Sequence, residues 1–134
     1  MTSPFPPATI TLRKNEERRI LSGHPWVFSN EIRDTQGSPA AGEVVGVRNA
    51  AGKPLGIGLF HPHSLIAVRL LSRVPMEIDA AFFRTRLQEA QALRERLFPG
   101  STVYRLVHGE ADFLPGLIID RFNDHFVIQA LSFG

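Results

Sequence analysis

Glu43-Val44-Val45-Gly46-Val47-Arg48-Asn49-Ala50-Ala51-Gly52-Lys53-Pro54-Leu55-Gly56-Ile57-Gly58-Leu59-Phe60 reads as two strands joined by a short Gly-bearing turn. The strands run from Glu43 to Arg48 and from Leu55 to Phe60, with Asn49 to Lys53 as the hairpin loop. From Leu55 to Leu59 glycine alternates with aliphatic residues, so the glycines fall on one face, where another backbone can approach closely. A third strand candidate follows at Leu65 to Leu71. Its Ile66, Val68 and Leu70 share one face, and Arg69 points the other way. Upstream, Ala8 to Leu12 alternates in the same manner, whereas Arg33 to Gly42 has no periodicity and reads as a surface loop. Short strands, tight turns and one helical turn predict a small, partly closed β-barrel.

The helical turn lies in the basic segment Arg13 to Arg19, which runs into Ser22-Gly23-His24-Pro25-Trp26-Val27-Phe28. Asn15 is expected to cap it and Gly23 to stop it in the left-handed conformation, while Pro25 keeps His24 extended. Guanidinium forks beside such a turn match phosphate oxygens in pairs. Trp26 and Phe28 are expected to bury, as large aromatics usually do, with the arginines solvated around them.

Ser72 to Glu77, centred on Pro75, separates this region from a second one. Asp79 caps a helix predicted to run to about Leu97, with Phe83, Leu87, Ala90, Leu93 and Leu97 along one stripe. Arg94 and Arg96 fall in its last turns, where cations complement the helix dipole, and Pro99-Gly100 ends it. Val103 to Val107, Leu117 to Arg121 and Phe126 to Leu131 read as strands, the last two joined at Asn123-Asp124. A helix and three strands bury little surface alone, so the ending at Gly134 is expected to be that of an incomplete domain.

Charge is unevenly spread over the 134 residues. Residues 1 to 73 hold nine Lys/Arg against five Asp/Glu, and residues 74 to 134 hold six against eight, giving +4 and −2. Thirteen of the fifteen basic residues are arginine, which favours bidentate phosphate contacts and stacking. Cysteine is absent, which excludes disulfides, thiolate metal sites and a cysteine nucleophile from this chain. The start Met-Thr-Ser-Pro-Phe-Pro-Pro is a loose lead-in that lacks the features of a signal peptide. No apolar run approaches the roughly 20 residues needed to span a bilayer. A soluble, cytoplasmic protein with no membrane partner is expected.

His108, Glu110 and Asp112 recur every second residue and would share a face in an extended chain. With His24, His61, His63 or His125 they would suit a two-histidine, one-carboxylate metal site. The competing reading, favoured by Gly109 and Gly116, is a loop held by local carboxylate-to-amide hydrogen bonds. His61-Pro62-His63 reads as a turn. Glycine-rich phosphate loops, dinucleotide fingerprints and nucleophile motifs are missing from the sequence, so it holds no complete catalytic site.

Several segments together carry a resemblance. In the first half they are Leu12-Arg13-Lys14, Glu17-Arg18-Arg19, Ser22 to Ile32, Gly56-Ile57-Gly58 with Pro62 and Ser64, and Ile66 to Leu71. In the second half they are Tyr104 to Asp112 and Leu114 to Arg121. The chain resembles the N-terminal part of the bacterial S-adenosylmethionine-dependent methyltransferases that make 5-methylcytosine in large-subunit ribosomal RNA.

The resemblance implies an α+β chain. Residues 1–74 would form a small PUA-like pseudo-barrel that binds RNA (PUA being named for pseudouridine synthases and archaeosine transglycosylases). Residues 75–134 would form a helix and a few strands of an incomplete central α/β domain. It implies that the Rossmann-like methyltransferase domain is absent, so catalytic, cofactor-binding and metal-binding residues are none on this chain. S-adenosyl-L-methionine is expected for the full-length parent. The implied partners are ribosomal RNA and the parent's C-terminal methyltransferase domain. The implied RNA face is bordered by Arg13, Lys14, Arg18, Arg19, His24 and Trp26, with Lys53 and Arg69 as additions. His108, Glu110 and Asp112 are implied to lie at a central-domain cleft. Phe113 departs from the family pattern, which has a small residue or glycine there. The implied function is substrate recruitment for a (cytosine-5) methyltransferase; the alternatives are a stand-alone RNA-binding adaptor and a small His/carboxylate metalloenzyme.

Overall fold

The hairpin pairs as its sequence predicts, and a sheet of six strands grows from it. The computed structural model describes residues 5–131; the first four residues of the Pro-rich lead-in, and the chain end at Gly134, lie outside the described residues. The chain divides between Glu77 and Ile78 into two compact units.

In the first unit, β4 (Val44–Arg48) and β5 (Pro54–Phe60) form the hairpin. Asn49 Oδ1 accepts from the amides of Ala51 at 3.0 Å and Lys53 at 2.8 Å, which builds the turn. β6 (Ile66–Ser72) pairs with β5, and β2 (Trp26–Phe28) pairs with the outer side of β6. On the other flank β1 (Thr9–Leu12) runs parallel to β4, and β3 (Ile32–Gln36) pairs antiparallel with β1. The order is β2-β6-β5-β4-β1-β3, a curled sheet that forms a half-barrel. Ile10, Leu12, Val27, Val45, Val47 and Val68 are fully buried inside it, and Ile20 of the helical turn α1 (Arg18–Leu21) joins them.

The glycine face of β5 does what its missing side chains permit. A Cβ on Gly56 would stand 2.6 Å from the carbonyl oxygen of Ser72, and one on Gly58 would collide with the backbone of Arg69. The register of β5 against β6 shifts between Ile57 and Gly58, so the closest approach coincides with an irregularity that bends the pair.

Two local expectations fail. Ile32 to Gln36 is a strand, although Arg33 to Gly42 reads as a loop. An edge strand needs only backbone partners on one side, and this one is mostly exposed, so it shows no apolar alternation. Asn15 does not cap α1. It takes a left-handed conformation with φ 69°, which asparagine tolerates, and Glu17 occupies the cap position without a side-chain bond.

The second unit has α2 (Ala80–Leu97) beside a sheet of β7 (Val103–His108), β8 (Leu117–Phe122) and β9 (His125–Ala130), ordered β7-β8-β9. Asp79 caps α2 by accepting from the Phe82 amide at 2.9 Å. Ala90 packs with Val107, Leu114 and Ile119 in the core, and Leu87 packs partly against them. Phe82, not Phe83, is the buried aromatic, and Leu97 is exposed; the buried face of α2 is therefore narrower than the predicted stripe. β9 is exposed along its whole length.

Gly58→Ala is expected to destabilise the first unit by about 1–3 kcal/mol, because the added methyl meets backbone that cannot swing aside. A fall in the urea midpoint with an unchanged m-value measures it.

Candidate nucleic-acid interface

After β1 the chain turns through the basic segment, anchored by the Arg13 amide donating to the Glu31 carbonyl at 2.8 Å. Arg13, Lys14, Arg18 and Arg19 are exposed. Among the described residues, Arg13, Lys14 and Arg18 form no side-chain ion pair; Glu16 and Glu17 share the turn but leave it net positive. Gly23, at φ 108°, reverses the chain after α1, and its amide donates to Ile20 O at 3.1 Å. Arg73 reaches back from the end of β6: Nη1 donates to Ile20 O at 2.6 Å and Nη2 to His24 O at 3.3 Å. A cation thus satisfies carbonyls at the end of α1 and fixes the basic turn to the sheet.

The strand that follows sorts its aromatics by alternation. Val27 points into the core with no exposure, so Trp26 and Phe28 point the opposite way and are half-buried. The expectation that both rings belong to the core is therefore corrected. They join His24 in a cluster outside it. Ring centroids are 5.6 Å apart for His24 and Trp26, 5.9 Å for His24 and Phe28, and 6.3 Å for Trp26 and Phe28. The Trp26 amide donates to His24 Nδ1 at 3.2 Å, which orients the imidazole. Arg19 Cζ lies 4.8 Å above the Phe28 ring, and Arg69, directly across from Trp26 in the β2–β6 register, places Cζ 5.3 Å above the indole.

Lys53 sits in the β4–β5 turn, apart from that cluster. The pairings Thr11 with Arg48 and Arg48 with Pro54 put this turn at the end of the sheet where β1 runs into Arg13. Two arginines that sequence reasoning passed over stand there. Arg33 Nη1 donates to Ala50 O at 3.4 Å, and Arg48 Nη1 donates to Gly52 O at 2.9 Å while stacking on Phe5. Only their charge marked them. Phe28 carried a better signal, as the second aromatic two residues from Trp26.

His61 is buried, 6% exposed, and closes β5 by donating its amide to Ala67 O at 2.8 Å. Burial, with the Arg69 charge adding to it, holds its imidazole below the usual 6.5. His63 is exposed, and the Ser64 amide donates to His61 O at 3.3 Å, closing the expected turn.

In the second unit His108, Glu110 and Asp112 do not share an extended face. Gly109 to Asp112 is a 3-10 turn, which leaves His108 exposed and buries Asp112. Asp112 accepts from Arg94 Nη1 at 2.6 Å, from Arg94 Nη2 at 2.8 Å and from the His108 amide at 2.7 Å. Its carboxylate is consumed by structure, and Arg94 with it. Phe113 takes a left-handed conformation at φ 59° and is 65% exposed, and Arg86 Nη1 donates to its carbonyl at 3.0 Å. His108 and Asp112 border a cleft of about 540 Å³ with Leu93, Leu97, Tyr104 and Arg105; Glu110 is not among its lining residues. Across the sheet Arg105 donates to Asp120 at 2.8 Å, and that hydrogen bond holds the Asp120 carboxyl below its ordinary value. Among the described residues no three His, Asp or Glu side chains converge as a metal site requires, and no helix is long and apolar enough to cross a membrane.

Residues 10–73 match the PUA-like domain family. Over 129 residues, 94% of this chain, the sequence is 45% identical to the Ribosomal RNA large subunit methyltransferase I of Tolumonas auensis. It is 42% identical over 128 residues, 93% of the chain, to the protein of that name from Escherichia coli. The chain spans 32% of the length of each. A solved Streptococcus mutans structure, described as a SAM-dependent methyltransferase, superposes with a TM-score of 0.75 at 20% identity, covering 92% of this chain and 34% of the other; the likeness is one of fold.

Asp112→Ala is expected to cost the second unit about 3 kcal/mol, since it leaves the half-buried Arg94 charge without its partner. Chemical denaturation reads the loss, and Arg94→Met/Asp112→Leu is expected to recover most of it. His61 favours the neutral form in the fold. Its contribution is complete above pH 6.5 and declines as pH falls through 6.5 toward the lower folded value. Stability measured across that window is expected to drop less in His61→Gln than in the unaltered protein.

Proposed function

We propose that the first unit of this chain, which belongs through residues 10–73 to the PUA-like domain family, binds ribosomal RNA and recruits it for methylation. The observation that carries this reading is the fixed basic turn beside the ring cluster. Exposed Arg13, Lys14, Arg18 and Arg19 stand at the foot of a strand whose outward rings already hold two guanidiniums. Guanidinium forks meet phosphates in pairs, and stacked rings hold them at a fixed height, so the surface is pre-organised for a polyanion. Arg13, Lys14, Arg18, Arg19, His24, Trp26 and Arg69 form its face, and Lys53 extends it along the end of the sheet.

The names of the relatives supply the rest of the proposal. Proteins about three times longer, named ribosomal RNA large subunit methyltransferase I, align with nearly the whole chain. The chemistry in this reading, transfer of a methyl group from S-adenosyl-L-methionine to a cytosine, belongs to polypeptide outside the matched third. The second unit stands beside that machinery, with the cleft bordered by His108 and Asp112 as its contribution, and the protein acts in the cytoplasm where ribosomal RNA resides. A stand-alone adaptor has less support, since the alignment covers 94% of the chain with proteins named as enzymes.

The test is the salt dependence of binding to large-subunit ribosomal RNA fragments. Each phosphate neutralised contributes about 0.7 to the slope of log Kd against log salt on single strands, so Arg18→Ala/Arg19→Ala is expected to lower that slope by about 1.4 and weaken binding at low salt. An affinity that ignores salt, or ignores the double substitution, overturns the proposal.

A further inference from the structure

The ring cluster stands outside the core of the first unit, where guanidiniums are among its neighbours. Three rings from five consecutive residues, Trp26 and Phe28 on the strand at the edge of the sheet and His24 just before it, are half-buried, while the residue between the last two fills the core. Trp26 meets both neighbours edge-on, His24 at 75° and Phe28 at 81°, while His24 and Phe28 are tilted at 44° to each other. Edge-to-face packing joins the rim of one ring to the face of another and leaves the rings unable to stack as one closed pile. The faces they do offer are met by planar guanidiniums, Arg19 over Phe28 and Arg69 over Trp26. Arg19 is exposed, so its guanidinium is reachable from solvent while its Cζ stays 4.8 Å from the Phe28 ring. A guanidinium is itself a planar group on which a base can stack, and its N–H fork can still meet phosphate.

We infer that His24, Trp26 and Phe28, with Arg19 and Arg69 laid over them, form a stacking platform for an unpaired base, so that the first unit selects single-stranded or looped RNA over continuous duplex. The inference rests on the proposed RNA binding and adds to it the structural class of the RNA. In a continuous A-form duplex the base faces are stacked on each other, and such a platform finds only backbone; an unpaired base can be splayed onto it. The rings cannot tell phosphates apart, and the exposed arginines cannot tell a loop from a helix. Discrimination between the two lies with the platform.

Trp26 is the only tryptophan of the chain, so its emission reports directly on the platform. The experiment titrates the whole chain with a short single-stranded RNA, with the blunt duplex of that strand and its complement, and with the same strand carrying abasic positions. Affinity is followed in parallel by anisotropy of a label on the RNA. The expected result is quenching of Trp26 and tighter binding with the intact single strand, and neither with the duplex or the abasic strand. Phe28→Ala is expected to reduce the single-strand preference about tenfold. Arg19→Lys keeps the charge but loses the plane, and is expected to reduce the preference while leaving the salt slope of binding intact. The quenching measurement needs no substitution, so a variant that fails to fold does not shield the idea. Equal affinity for strand and duplex, or equal quenching by the abasic strand, overturns the platform and leaves RNA binding standing. Failure of every RNA to bind at low salt removes both.

Discussion

The close passage of β5 over β6 at Gly58 is the constraint on which the first unit depends. At that point no side chain separates the strands, the pairing slips by a residue, and the sheet bends. Two consequences follow from one missing Cβ. The bend lets six short strands enclose a core of valines, leucines and isoleucines that a flat sheet of this size could not cover. It also sets the backbone of Arg69, whose side chain leaves on the outer face opposite Trp26. The position that curls the barrel and the position that presents a cation to the indole are therefore in contact.

A second tether makes the basic turn part of this frame. α1 is a single turn whose last carbonyls are met locally, Arg18 O by the Ser22 amide at 3.0 Å, Arg19 O by the His24 amide at 3.0 Å and Ile20 O by the Gly23 amide at 3.1 Å. Arg73 adds a second donor to Ile20 O and one to His24 O from the far end of β6, and the Leu70 amide donates to Pro25 O at 2.8 Å beside it. The exposed cations of Arg13 to Arg19 are thus displayed from a loop with few freedoms. In the second unit a different economy holds: its core is small, and a buried Arg94–Asp112 pair ties helix to turn. Such a pair adds little net stability over an apolar contact, but it allows one arrangement of the 3-10 turn and few others.

Much of this was legible in the sequence, and the parts that were not share a cause. The hairpin, the glycine face of β5, the cap at Asp79 and the turn at Asn123 are local devices whose chemistry is complete within a few residues. Phe113 was legible as an oddity, and the structure gives the reason: its backbone is left-handed, where glycine would be at ease. β3 escaped because an edge strand answers to its neighbour and not to a core. The outward turn of Trp26 and Phe28 escaped because composition reports that aromatics are apolar, while the side on which they fall is set by the register of β2 against β6. Arg73 escaped because its partners are carbonyls remote in sequence, and Arg48 because a carbonyl within its own turn and the distant Phe5 ring follow no recognisable spacing.

Under the proposed RNA binding, exposed charges and ring contacts would do different work. Coulomb attraction between exposed arginines and phosphates acts over a Debye length, roughly 8–10 Å at ordinary salt, and draws in any polyanion. It confers speed and affinity but is blind to structure. Ring contacts act only on touching and are little screened, so they discriminate after arrival. Arginine is the residue that can serve both, since one group carries the charge and the plane, and Arg19 and Arg69 stand against the rings while Arg73 and Arg94 are held by structural partners. Under that proposal, such a surface would capture broadly and retain selectively, with retention decided at Arg19, Trp26, Phe28 and Arg69, where cation and ring are already in contact.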